Sequence, residues 1–139
     1  MATQIYVNLP VKSLAKSVEF FGQLGYKFNP KFTNENGACM IVSDDIYVML
    51  LVEPFFKTFT PKQICDATQS TEVLLCLSCE SRDQVDELVL KAVAAGATTP
   101  MPAVDQGFMY GHGYQDLDGH QWELISMAPT ATEVGPQDV

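Results

Sequence analysis

A few polar side chains of this chain sit inside apolar, strand-like stretches, and Glu123 is the most telling of them. It lies between Trp122 and Leu124 in a segment that alternates, with Gln121, Glu123 and Ile125 on one face and Trp122 and Leu124 on the other. A carboxylate placed mid-strand belongs either to the solvated face of a sheet or to a polar cavity. In a cavity it could anchor a cationic or hydrogen-bond-donating ligand. His112 is the second candidate. It is flanked by Gly111 and Gly113 and shares a face with Tyr110 and Tyr114, and a histidine can act as a base or hydrogen-bond donor. The glycines let a ligand or another backbone come close, while a plain packed histidine is the competing reading. Asn8 is a polar residue in an apolar strand and needs a partner, either ligand or backbone. His120, in the turn and on Trp122's face, reads as structural. Cys39, Cys65, Cys76 and Cys79 lack metal-finger spacing. The Cys76-x-x-Cys79 pair falls in an apolar strand rather than at a helix start, so buried thiols without a redox role are expected.

Composition narrows the classes. The 139 residues are 47% hydrophobic and 18% charged, which suits one globular domain with a real core. A net charge of −9 argues against nucleic acid and against anionic membrane surfaces as partners. No apolar run reaches the ~20 residues that span a bilayer, and the start lacks the basic and apolar regions of a signal peptide. The expected location is the cytoplasm.

The elements that must position these residues read as a repeat. Residues 4–11 form an apolar strand. Ser13 caps a helix carrying Leu14, Val18, Phe21 and Leu24 on one stripe, and Gly25 stops it. Strands follow at 26–32, 38–43 and 46–52, joined at Asn36-Gly37 and Asp44-Asp45. The pattern then restarts with a strand at 71–79. Ser81 and Gln84 form a capping box, and Val85, Leu88, Val89, Ala92 and Val93 make a helical stripe ended by Gly96. Strands at 97–101, 108–115 and 121–127 complete the second copy, the last two joined by Asp118-Gly119 in a type I′ turn. The landmark pairs Ser13/Ser81, Gly25/Gly96, Gly37/Gly107 and Asp45/Gly119 are offset by 68, 71, 70 and 74 residues. The fold class is therefore α+β, two βαβββ modules at 4–52 and 71–127 within one domain of 1–127. The linker 53–70 carries Phe55, Phe56 and Phe59, which need cover by a cavity or a partner chain, and Thr60-Pro61 is expected to open one helical turn at 62–65. Residues 128–139 carry no pattern and read as a flexible tail.

Paired modules, the helix start Ser13-Leu14-Ala15-Lys16-Ser17-Val18-Glu19-Phe20-Phe21 and the closing Asp116-Leu117-Asp118-Gly119-His120-Gln121-Trp122-Glu123 together resemble the vicinal oxygen chelate superfamily. It includes glyoxalase I (lactoylglutathione lyase), bleomycin-resistance proteins and extradiol dioxygenases. The resemblance implies sheets curved around a cup-shaped cavity, with a divalent metal held by first- and last-strand side chains of each module. Carried over by the repeat offsets, those positions are Tyr6, Leu74, Met49 and Glu123. Leucine offers no lone pair and methionine only a soft thioether, so no metal and no cofactor is expected. The resemblance then implies a glyoxalase-like protein binding a small molecule in its cup, through Tyr6, Asn8, Met49, Leu74, His112 and Glu123. Cys76 and Ser78 would face the same cup. The alternative is a metal-dependent lyase or dioxygenase, with Glu123 and His112 as catalytic candidates. A homodimer is implied as well, since cups in this superfamily are commonly completed across an interface.

Overall fold

The structure is a computed structural model that describes residues 2–128. Two compact units emerge, one ending at Asp66 and the other starting at Ala67.

In the first unit, β1 (Ile5–Val11) leads to α1 (Leu14–Gln23) and then to β2 (Lys27–Asn34), β3 (Gly37–Ser43) and β4 (Ile46–Val52). The sheet order is β1-β4-β3-β2, with β1 parallel to β4 and the other pairs antiparallel. Ser13 caps α1 by accepting the Lys16 N–H at 3.3 Å, and Gly25 ends it at φ +106°. α1 packs against β3 and β4 and buries Phe20 and Phe21, which meet edge to face at 4.9 Å. Leu9, Val11, Ala38, Cys39, Met40, Val48, Leu50 and Leu51 are the buried hydrophobic residues of the sheet. Burying two phenylalanines of this kind stabilises the unit by roughly 1.5–3 kcal/mol each.

The expected turn of helix at 62–65 is absent. Instead a short helix, α2 (Glu53–Phe56), continues into a 3₁₀ turn over Lys57–Phe59. Pro54 stands in the first helical turn, where its missing N–H costs nothing, and the Lys57 N–H closes onto the Glu53 carbonyl. The Thr60 hydroxyl accepts from Lys62 N at 3.2 Å, two residues on, which makes a local turn and not a helix cap. Phe55 and Phe56 are half-buried and Phe59 is exposed.

The second unit repeats the plan: β5 (Leu74–Ser78), α3 (Arg82–Ala94), β6 (Val104–Asp105), β7 (Met109–Gln115) and β8 (Gln121–Met127) in the order β5-β8-β7-β6, with β5 parallel to β8. Ser81 caps α3 through the Gln84 N–H at 3.1 Å, and Gln84 Oε1 accepts from Glu80 N at 2.7 Å, a variant of the expected capping box. Val85, Val89 and Ala92 form the buried stripe of α3, whereas Leu88 is half-buried and Val93 is 46% exposed. The stripe is therefore narrower than its sequence pattern implies. The expected strand at 97–101 shrinks to a bridge at Thr98–Gln115, because Pro100 and Pro102 cannot donate to the ladder, and pairing resumes only at Val104. The expected tail lies outside the described residues except for Ala128, whose N–H reaches the Phe108 carbonyl at 2.8 Å. Among the described residues no helix is long and apolar enough to cross a membrane.

Candidate functional site

The closing motif is built first as a fold staple. Asp116 is buried, and its Oδ1 accepts the backbone N–H groups of Asp118 and His120, both at 3.0 Å. Its Oδ2 takes the indole N–H of Trp122 at 2.9 Å. Burial raises the Asp116 carboxyl above its ordinary range, while His120 and the three N–H groups pull in the other direction. Trp122 is fully buried and stacks on Tyr114 with ring centres 6.2 Å apart. Among the described residues no non-glycine residue has positive φ, so the turn is not the expected type I′. Gly119 alone is left-handed, at φ +94°, after a turn in which its N–H bonds the Asp116 carbonyl, the three-residue form of hairpin loop. A Cβ on Gly119 would lie 2.7 Å from the backbone of Ala67 and Thr68, so the loop also needs glycine for close approach.

With Trp122, Leu124 and Ser126 turned inward, Gln121, Glu123 and Ile125 point to the opposite, concave face. Cross-strand pairing sets their neighbours. Glu123 pairs with Cys76 on β5 and with Gly113 on β7, Gln121 with Leu74, and Ile125 with Gly111. A Cβ on Gly113 would stand 2.8 Å from Glu123 Oε2 and inside contact distance of the Trp122 carbonyl oxygen. Glycine at 113 thus lets the carboxylate lie across β7. Gln121 Nε2 donates to Glu123 Oε1 at 3.2 Å and fixes its orientation. Burial raises the Cys76 thiol above its ordinary range, and the Glu123 charge raises it further.

These residues floor a cavity of about 550 Å³, within the usual range for small-molecule sites. Val104, Met109, Leu74 and Ile125 give it apolar walls, and Pro100, Met101 and Pro102 form a rim. Its polar side chains are Glu123, Gln121 and Gln106, and among the described residues no Lys or Arg lines it.

Of the residues singled out in the sequence, Leu74 and Glu123 come together here. His112 does not join them: it pairs with Leu124, and its side chain leaves from the helix-covered face, so it borders the cavity as backbone. On the same face Tyr110 donates its hydroxyl to Asp86 of α3. Tyr6, Asn8 and Met49 lie in the first unit on the face of its sheet turned away from α1. There Asn8 pairs with Met49, while Tyr6 stacks on Tyr47 at 4.9 Å. Asn8 Nδ2 donates to the Tyr6 carbonyl at 3.3 Å. The pairing is equivalent in the two units: Asn8 stands beside Met49 and Cys76 beside Glu123, with Tyr6 and Leu74 two residues earlier on the same faces. Cys39 is buried as expected, but Cys76 and Cys65 are exposed and Cys79 is half-buried. Gln121 was missed as a site residue, although its place on Glu123's face was the available signal.

Residues 3–43 match the family described as Bleomycin resistance protein-like N-terminal. A hypothetical protein, SA1046, from S. aureus superposes with a TM-score of 0.76 at 26% identity, covering 91% of this chain and 95% of that one. A glyoxalase/bleomycin resistance protein/dioxygenase family enzyme from Burkholderia phytofirmans PsJN gives a TM-score of 0.77 at 16% identity, with 91% and 100% covered. The chain has the vicinal oxygen chelate fold. The genomically encoded fosfomycin resistance protein FosX from Listeria monocytogenes shares that fold, with a TM-score of 0.67 at 16% identity over 94% of this chain and 97% of that one. No curated protein matches by sequence.

The fold family implies a divalent metal, and the side chains here do not fit one. In the second unit the first- and last-strand positions on this face offer Leu74, Cys76 and Glu123, and in the first unit Tyr6, Asn8 and Met49. Zn²⁺ and similar ions take three or four protein ligands. Among the described residues no three His, Cys, Asp or Glu side chains converge.

Proposed function

We propose that this protein binds a small, largely apolar molecule on the concave face of its second sheet, with Glu123 as the polar anchor and without the divalent metal that the fold family implies. The observation that carries this reading is the pairing of one carboxylate, oriented by Gln121, with apolar walls of Leu74, Val104, Met109 and Ile125. Specificity in such a site comes from a few placed polar groups and bulk affinity from the walls. Tyr6, Asn8 and Met49 form a polar-aromatic face on the first unit's sheet, and we propose that face as a second binding surface in its own right. The protein also acts as a homodimer in this reading, because Phe59 is 69% exposed although Phe55 packs edge-on against it at 5.2 Å. Cys39, Cys76 and Cys79 are outside any disulfide, which supports a cytoplasmic location.

The test is a fragment screen on the isotope-labelled full chain, read as amide shifts. Shifts clustering on Leu74, Cys76, Met109, Gly113, Gln121 and Glu123 are expected. Hits that scatter over the surface, or none at all, would remove the pocket. Light scattering decides the dimer, and a monomer at tens of micromolar would refute it.

A further inference from the structure

We propose that the ligand of the second sheet's cavity is an organic monocation, an amine or ammonium group carried on an apolar body, with the charge seated on Glu123. The inference rests on the reading of this cavity as a small-molecule site. Three features point to the charge. Among the described residues Glu123 brings the cavity's one carboxylate, and no Lys or Arg side chain lines the space to balance it. Its Oε1 is taken by the Gln121 amide, a neutral donor that orients the carboxylate without compensating its charge. Its Oε2 lies over Gly113, where a Cβ would stand 2.8 Å away, so the carboxylate is held across β7 with no side chain covering it from that strand.

A neutral ligand that covers this carboxylate strips its water and leaves a charge in an apolar enclosure, which is costly. An anion adds repulsion. A cation replaces the lost water with a charge-assisted contact, and the low polarity of Leu74, Met109 and Ile125 strengthens it. The same walls accept the apolar body. His112 adds no competing positive charge, because its side chain leaves from the other face of β7.

The experiment compares three probes of one skeleton, 4-phenylbutylamine, 4-phenylbutanol and 4-phenylbutyrate, by amide-shift titration of the full chain at pH 7. The amine is expected to bind about tenfold or more tighter than the alcohol, with the butyrate weakest. In Glu123→Gln the amine should fall to the level of the alcohol, while the alcohol changes less than about twofold. The wild-type comparison stands alone if that variant misfolds. Equal binding of amine and alcohol, or preference for the butyrate, overturns the cationic assignment and leaves the cavity as a ligand site. Failure of all three to shift cavity residues overturns both readings.

Discussion

Replacing Asp116 by alanine removes the acceptor for three N–H groups at once. The Trp122 indole N–H is fully buried and has no water to turn to, so leaving it unsatisfied costs about 1–3 kcal/mol. The N–H groups of Asp118 and His120 sit in a half-buried turn and regain part of their hydration, so each loses roughly 0.5–1 kcal/mol. Relief of the carboxylate's own burial offsets some of this, and a net loss of about 2–4 kcal/mol is expected. Asp116→Asn separates the contributions. Its carbonyl oxygen can keep both backbone donors, while its amide faces the indole N–H donor to donor, so only the indole component is lost. Urea unfolding followed through Trp122, the sole tryptophan, reads both variants directly. Because the folded pKa of Asp116 is raised, its contribution is greatest below the ordinary aspartate pKa and is lost as pH rises through the folded value. Asp116→Asn should lack that step. A loss under ~0.5 kcal/mol in Asp116→Ala, with an unchanged m-value, would refute the staple.

Gly119→Ala combines left-handed backbone with a Cβ driven into the Ala67-Thr68 backbone, and should destabilise by about 2–4 kcal/mol in the same assay. Val89→Ala should cost about 1–2.5 kcal/mol, while Leu90→Ala one position on, 70% exposed, should stay within ~0.5 kcal/mol. Equal effects would mean α3 is rotated. Partial desolvation and the Glu123 charge raise the Cys76 thiol, so its alkylation, followed by site-resolved mass spectrometry, should speed up only at alkaline pH. Glu123→Gln should move that profile to lower pH, and an unmoved profile would separate the two side chains.

Most of the fold is legible in the sequence because its signals are local. Ser13 and Ser81 as caps, Gly25 and Gly96 as stops, and the alternation around Trp122 each depend on neighbours a few residues away. The failures have equally local causes. Pro100 and Pro102 cut the strand at 97–101, and Pro54 starts the linker helix earlier than Pro61 suggested. The site is less legible, because it depends on register between strands. A repeat offset counts residues, whereas the ladder decides which side chains meet, and it sets Cys76 directly beside Glu123 with Leu74 beside Gln121. Gly113 reads as mere permissiveness in sequence, and only the pairing with Glu123 gives it a purpose.

The measurement that bears most directly on a metal-independent Glu123 site is elemental analysis of untagged protein, wild type beside Glu123→Gln. The account predicts no stoichiometric Zn, Ni, Fe or Mn in either protein, and the same trace content in both. About one ion per chain in the wild type, lost in Glu123→Gln, would contradict it and restore Glu123 as a metal ligand.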